Sequence, residues 1–306
     1  MRAVAMTGFG QPPELTDLPV PVPERGEILV HVEASSLNGF DLLVASGQAK
    51  DMMEYRFPVV LGRDFAGTVA ASEAGDIAPG DMVFGMITKP YLKDGGFADY
   101  VTVSGSFGFA RVPEGLSMPH AGALALAGTT AQDSVTAAAP QPGQTVLISG
   151  ATGGVGAFAT QLATAADAVV IATGRPGAEA DFVRAMGAAH VVDYSGDIAA
   201  EVGRIAPAGV DALIHLAGDA ESLGALVKSG GRFASTRGVS SIGRSDVVVT
   251  AISASPTQDT LNELAEAVAQ SRLLVPVTNT CGLAEAPEAL GHFAHGAIGK
   301  LGVLIR

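Results

Sequence analysis

The chain has 306 residues, 48% of them hydrophobic and 16% charged, with 39 glycines. This is the composition of a folded, turn-rich globular protein long enough for two cores, and it excludes disordered, fibrous and low-complexity classes. A formal net charge of -13 repels nucleic acid and anionic membrane surfaces, so neither is expected as a partner, and any phosphate-bearing ligand has to be held by local groups.

The single cysteine, Cys281, rules out an intrachain disulfide and any thiolate cluster. No local motif activates it, and it reads as a small buried hydrophobe. The opening MRAVAMTGFGQPPELTDLP lacks an apolar core of signal-peptide length. No apolar run approaches the roughly 18 residues of a membrane span, and a soluble cytoplasmic protein is expected.

Residues 1–115 read as short strands broken by Gly, Pro and Asp, among them EILVHVEAS, FAGTVAAS, GDMVFGM and FADYVTV. That spacing predicts a small β-rich domain. From about Ser117 the pattern changes to an Ala-rich helical stretch, and then strands and helices alternate to 253. The predicted strands are TVLISG, AVVIATG, HVVDY, VDALIHLAG, GRFAST and DVVVTAIS, with EADFVRAMG and ESLGALVKSG among the helices. Continuous apolar strands separated by helices indicate a parallel sheet covered on both faces, a doubly wound α/β architecture. Residues 254–306 begin with the amphipathic TQDTLNELAEAVAQSR and end in GKLGVLIR, a strand that a completed six-stranded sheet does not need. The economical expectation is a return to the first domain, which is then discontinuous.

The stretch VLISGATGGVGAFATQLA, Val146 to Ala163, runs from an apolar strand through a glycine cluster into a helix. A dinucleotide site needs a tight turn here, a position without Cβ beside the pyrophosphate, and a glycine that lets helix pack on strand. Gly153 and Gly156 hold the second and third of these positions, with Gly154 and Val155 between them. Ala151 stands at the first, flanked by Gly150 and Thr152. A helix starting near Val155 would aim its N-terminal N–H groups at the phosphates. The alternative is a plain strand-to-helix connection, but strand, helix and following strand all fall within about 30 residues, as the fingerprint requires.

The end of the second strand bears on which dinucleotide is used. NAD sites place an acidic residue about 20 residues after the glycines, for the ribose hydroxyls. This chain has Thr173, Gly174 and Arg175 there. Arg175 can pair with a 2′-phosphate through two parallel hydrogen bonds, so NADPH is expected; otherwise it is a solvated loop charge.

Taken together, SSLNGFDLLVASG, FPVVLGRDFAGTVAAS, APGDMVFG, GGFADYVTV, AGALALAGTTAQDSV, VLISGATGGVG, FVRAMGAAHVVDY, LVKSGGRFAS and GAIGKLGVLI stand in order along nearly the whole chain. In this the chain resembles the zinc-independent quinone oxidoreductase group of the medium-chain dehydrogenase/reductase superfamily. The glycine cluster resembles that group's Ala-x-x-Gly-x-Val-Gly form, which accounts for Ala151. The resemblance implies a Rossmann domain, a GroES-like catalytic domain, a cleft between them and a homodimer. It also implies that Thr130 lies near the nicotinamide and that Tyr194 approaches the adenosine 2′-phosphate; helix packing and an ordinary core-edge aromatic are the structural alternatives. Ala217 and Gly218, at the end of the fourth strand, complete the expected cofactor set.

Zinc enzymes of that superfamily use Cys and His for a catalytic metal and four cysteines for a structural one, and one cysteine cannot supply four. Where a catalytic His and Glu would follow "LG", this chain has Arg63 and Asp64, and a guanidinium does not ligate zinc. Of the six histidines, only His292 and His295 are close in sequence, without an acidic partner motif. His215 reads as a satisfied core or cofactor-edge histidine. No G-x-S-x-G element supports serine hydrolase chemistry.

Without a Lewis acid, the expected reaction is hydride transfer from NADPH to a quinone or an α,β-unsaturated carbonyl compound, with hydrogen-bond donors meeting the resulting oxyanion. Asn38 matches the family Asn facing the nicotinamide and is the first choice of donor. Asp41 matches the family Asp of the same motif, with a helix cap or an ion pair to Arg63 as its alternatives. Arg63 either orients the loop or assists the oxyanion. Several relatives carry a Tyr two residues after that Asp, where this chain has Leu43; Tyr55 is the replacement to consider as proton donor, against plain loop packing. Two other readings stay open: an enoyl-thioester reductase, and a non-catalytic NADPH-binding sensor or structural protein.

Overall fold

The structure, a computed structural model, describes residues 1–305. It contains two compact units, one formed by Met1–Leu126 with the chain from Pro256 onward, the other by Ala127–Ser255.

The regular elements of the first segment are mostly strands: β1 (Arg2–Met6), β2 (Glu14–Asp17), β3 (Glu27–Ser36), helix α1 (Gly39–Ala45), then β4 (Glu54–Tyr55), β5 (Val59–Val60), β6 (Asp64–Ser72), β7 (Met82–Met86), β8 (Tyr91–Leu92), β9 (Tyr100–Ser104) and β10 (Phe109–Arg111). Short runs of this kind follow from the Gly, Pro and Asp breakers noted in the sequence. In β3, Ile28, Val30, Val32 and Ala34 are fully buried while His31 is exposed. Its core also contains Phe65, Phe97, Val101 and Val103.

A short helix, α2 (Met118–Ala121), packs on β3 and β6. Residues 116–126 therefore stay with the β-rich unit, and the change of unit falls at 126/127 rather than at 115/116. The reason is steric: a Cβ on Gly122 would sit 2.7 Å from the Ala34 main chain of β3, so this glycine lets the segment lie directly on the sheet.

The helix α3 (Ala125–Ala138) leads into the second unit. There β11 (Thr145–Ser149), α4 (Gly154–Ala165), β12 (Val169–Thr173), α5 (Ala178–Ala185), β13 (His190–Val192), α6 (Ile198–Ile205), β14 (Val210–His215), α7 (Ala220–Gly224), β15 (Val227–Ser235) and β16 (Val248–Ala251) follow one another. The strands form one parallel sheet in the order β13-β12-β11-β14-β15-β16, doubly wound about β11 and β14. One element differs from expectation. ESLGALVKSG is not one helix: α7 stops at Gly224, whose absent Cβ would meet Ile242 at 2.6 Å, and β15 begins at Val227.

The chain then forms α8 (Gln258–Ala269), capped by Thr257 accepting from the Thr260 N–H, followed by β17 (Val277–Gly282), α9 (Ala286–Phe293) and β18 (Lys300–Leu304). β18 pairs antiparallel with β3, and the sheet of the first unit runs β10-β7-β6-β3-β18-β17, with β9 also on β3. The closing strand, Lys300–Leu304, is thus part of the same sheet as β3 and β6.

Candidate functional site: a glycine turn and a buried polar node

In the second unit, the turn between β11 and α4 assigns separate tasks to its glycines. Gly150 has φ +74°, a left-handed conformation that side chains disfavour, and it supplies the tight turn that Ala151 does not. Its N–H donates to Thr173 Oγ1 at 2.9 Å, so the end of β12 holds the turn. A Cβ on Gly156 would lie 2.4 Å from the Gly150 carbonyl oxygen and 2.5 Å from Ala151 Cα; this glycine is what allows α4 to pack against the turn. Gly153 is different. A Cβ there would find only the Gly150 oxygen, at 3.7 Å, so the space beside it is free of protein. It is also the N-cap of the twelve-residue α4, and no side chain caps that helix. The first N–H groups of α4 and an open space at Gly153 are the features an anionic pyrophosphate requires. Thr152, Gly154 and Val155 are half-buried around this opening.

Ala217 adjoins the same turn, its Cβ 3.1 Å from where a Gly150 Cβ would be. Gly218, at φ +91°, is pinned by His215. The His215 ring is buried, with Nε2 3.1 Å from the Gly218 carbonyl and Nδ1 2.9 Å from Ser235 Oγ. A carbonyl only accepts, so Nε2 carries the proton and Nδ1 accepts from the serine. His215 is therefore a satisfied brace of this loop.

At the end of β12, Gly174 donates its N–H to the Val192 carbonyl. Arg175, expected as a free partner for phosphate, is already engaged. Glu179, in the first turn of α5, takes the Arg175 Nε and NH2 groups on Oε1 at 2.9 and 2.5 Å and the Arg175 main-chain N–H on Oε2 at 2.8 Å. Tyr194 donates its hydroxyl to the same Oε1 at 3.2 Å, and its ring lies 5.6 Å from the guanidinium carbon. Burial pushes the Glu179 carboxyl up, but these donors hold it below its usual value.

On α3, Thr130 is half-buried and its carbonyl accepts from Ser134 Oγ. Its neighbour Thr129, which sequence reasoning passed over, is fully buried, and its hydroxyl has no hydrogen-bond partner among the described residues.

The first unit gathers a buried polar node. Asp64, wholly buried at the start of β6, accepts on Oδ2 from Ser36 Oγ at 2.6 Å and Asn38 Nδ2 at 2.8 Å, and on Oδ1 from the Leu126 N–H at 2.8 Å. Lys300, 3% exposed, donates to Asn38 Oδ1 at 2.7 Å and to the Leu37 carbonyl at 3.0 Å, with Asp64 Oδ2 3.5 Å away. Burial draws the Lys300 pKa down against the pull of Asp64 and Asp41.

The node corrects the expected role of Asn38. Its second amide hydrogen goes to the Ser36 carbonyl at 3.1 Å, so both donors and the acceptor of this side chain are used inside the unit. It is a scaffold residue, without a hydrogen to offer a substrate. Asp41 takes the cap role: Oδ2 accepts the Asn38 N–H and Oδ1 the Gly62 N–H, at 2.8 and 3.1 Å. Burial pushes its carboxyl up to about 7, opposed by these hydrogen bonds.

The alternative for Asp41, an ion pair with Arg63, does not form. The Arg63 guanidinium, half-buried, lies 5.2 Å over the Phe40 ring and has no hydrogen-bond or ion-pair partner among the described residues. Burial lowers its pKa below the usual value, against the fields of Asp41 and Asp64. Tyr55 packs against Phe9 and Phe57, ring centroids 4.8 and 5.7 Å away, and donates its hydroxyl to the Val44 carbonyl at 3.1 Å. Its proton is directed at the end of α1, the structural alternative. No group of three or more His, Cys, Asp or Glu side chains among the described residues could hold a metal ion, and no helix is long and apolar enough to cross a membrane.

Comparison with known proteins agrees with this architecture. Residues 24–174 match the family described as "Alcohol dehydrogenase GroES-like domain", and residues 154–250 match "Zinc-binding dehydrogenase". The chain is 32% identical over 228 residues to a chloroplastic quinone oxidoreductase, QR1, of Triphysaria versicolor, a match covering 71% of this chain and 68% of the relative. Among solved structures it is similar to the quinone oxidoreductase of Coxiella burnetii, with a TM-score of 0.90 and 27% identity over 100% of this chain and 99% of the other. A mycobacterial protein solved in complex with NADPH matches over the full length of both chains, with a TM-score of 0.86 and 27% identity.

Proposed function

The chain belongs to the medium-chain dehydrogenase/reductase superfamily of NAD(P)-binding oxidoreductases, among its quinone oxidoreductases, and on that premise we propose that it is a zinc-free, NADPH-dependent reductase of quinones or α,β-unsaturated carbonyl compounds. The nicotinamide, when bound, supplies the hydride. The chain's own residues hold and orient. The open space at Gly153 and the uncapped N-terminus of α4 suit the pyrophosphate, Thr173 keeps the turn in place, and Arg175 with Tyr194 are the groups for the 2′-phosphate.

The observation that carries the reading is the unpaired guanidinium of Arg63. A half-buried cation without a partner is costly, and nearby carboxylates that could have neutralised it are taken by other donors. An oxyanion developing on a quinone or enone is the partner it lacks, and fixed donors need no reorganisation to meet it. Asn38, Asp41, Asp64 and Lys300 act behind it, holding the end of β3 and the start of α1 in one geometry. Zinc has no role in this scheme because Arg63 stands where a ligand would be needed and one cysteine serves the whole chain. A homodimer belongs to the same reading: β16 leaves an edge of the parallel sheet unpaired, with Val248 52% exposed, and pairing with a second copy would cover it.

The test is NADPH oxidation with a panel of quinones, short enones and enoyl thioesters, for the wild type and for Arg63→Met. Turnover of quinones or enones that falls roughly 100-fold or more in the variant, with NADPH affinity kept, supports the proposal. Turnover of thioesters alone favours the enoyl-thioester alternative, and tight NADPH binding without turnover of any acceptor favours a sensor.

A further inference from the structure

Among the described residues, Glu179 is the one carboxylate hydrogen-bonded to both groups proposed for the 2′-phosphate, Arg175 and Tyr194. It binds the Arg175 guanidinium through two hydrogen bonds, the Arg175 main-chain N–H through a third and the Tyr194 hydroxyl through a fourth. Its side chain is 11% exposed whereas that of Arg175 is 60% exposed, so the acid is the buried partner of the pair and the base the one that faces solvent. Gly177, at φ +95°, caps α5 and turns the chain so that Glu179 faces back to the end of β12. Asp193, beside Tyr194, places a second carboxylate within electrostatic reach of Arg175. One cation faces two anions here, so the locality carries no net positive charge.

Arg175 can therefore receive a 2′-phosphate only beside, or by leaving, an anion already bound to it. A dianion brought beside the Glu179 carboxylate is repelled by it, enough at the surface to change affinity by roughly tenfold. A ribose carrying a free 2′-hydroxyl meets no such penalty, and Glu179 can accept from it. We propose that Glu179 is a specificity-determining residue that limits the preference for NADPH, so that the same site also takes NADH. This rests on the dinucleotide reading given above. Glu179 does not touch the reacting atoms; it acts on the phosphate through Arg175 and through its own charge.

The experiment is fluorescence titration of NADPH and NADH against the wild type, Glu179→Gln, Arg175→Ala and the double variant. Glutamine keeps a carbonyl for the Arg175 N–H and removes the charge. The expected result is binding of both cofactors by the wild type, a ratio of NADPH to NADH affinity that rises roughly tenfold in Glu179→Gln, and loss of that gain when Arg175 is also replaced. A ratio unchanged or lowered in Glu179→Gln overturns the inference and leaves the dinucleotide reading standing, because both cofactors still bind. Glu179 would then be a brace for Arg175. Failure of the wild type to bind either cofactor overturns both.

Discussion

Lys300 Nζ lies 2.7 Å from Asn38 Oδ1, joining the final strand to the start of the first helix across 262 residues of sequence. Both groups are buried, and Asp64 completes the set. This contact explains why the closing strand belongs to the first unit: β18 adds a strand to the sheet and also the cation that the buried carboxylate of Asp64 needs.

Replacing Lys300 by methionine should therefore destabilise the first unit by about 3–5 kcal/mol, the usual consequence of removing one partner of a buried pair. Chemical denaturation of the variant checks this. Lys300→Met combined with Asp64→Asn should recover part of the loss, because the uncompensated charge is gone; a double variant no better than the single one would separate the two residues.

Asp41 gives the fold a pH dependence of defined sign. Its carboxyl titrates near 7 in the folded chain because of burial, and in the unfolded chain near the ordinary value of about 3.9. Between these values the folded state holds the proton more tightly. The stability this contributes is complete below about pH 4 and is lost as pH rises through about 7. Denaturant midpoints of wild type and Asp41→Asn, measured from pH 4 to 8, should show the wild type losing ground across that window, by an order of 2–4 kcal/mol, and no further change above it.

Thr129 carries a buried hydroxyl without a partner among the described residues. Valine has the same shape without the polar group, so Thr129→Val is expected to match or exceed the wild type in thermal stability, by up to about 1–2 kcal/mol. If the hydroxyl serves a bound substrate or cofactor, the same variant raises KM while stability holds, which steady-state kinetics would detect.

Gly156→Ala should act on the fold. The added methyl would fall 2.4 Å from a main-chain oxygen, and neither the helix nor the turn can move without disturbing β11. A loss of about 1–3 kcal/mol is expected from overpacking at such a contact, read by thermal melting.

Much of this was legible in the sequence, and what was legible was local. The glycine turn declares itself because its steric requirements fall in one short stretch: Gly153 for the open space and Gly156 for packing stand at the expected spacing, and Gly150 takes the turn in place of Ala151 beside it. The alternation of apolar strands and helices gives the parallel sheet for the same reason. The segment ESLGALVKSG misleads because its strand half, from Val227, holds a single apolar residue and so shows no period of its own, and only pairing with β14 decides it. Asn38 was picked out from its motif, but the direction of its amide depends on Asp64 and Lys300, which are brought there by strand pairing. Glu179 went unread although it lies four residues from Arg175. An i, i+4 pair of opposite charge is an ordinary helix-surface pattern, and its meaning comes from the end of β12 facing it.

The central claim is that the turn from β11 to α4 holds the pyrophosphate of a dinucleotide, and Gly153→Val tests it most directly. The substitution has room within the protein, since only the Gly150 oxygen lies within 4 Å of the new Cβ, at 3.7 Å, and the backbone there is extended at φ -78°. Folding should be intact by thermal melting. Titration followed by nicotinamide fluorescence should show NADPH binding to the wild type and a loss of roughly 100-fold or more in the variant, as the side chain fills the space for the phosphates and excludes their hydrogen bonds to the α4 N–H groups. A folded Gly153→Val that binds NADPH as tightly as the wild type would contradict the account.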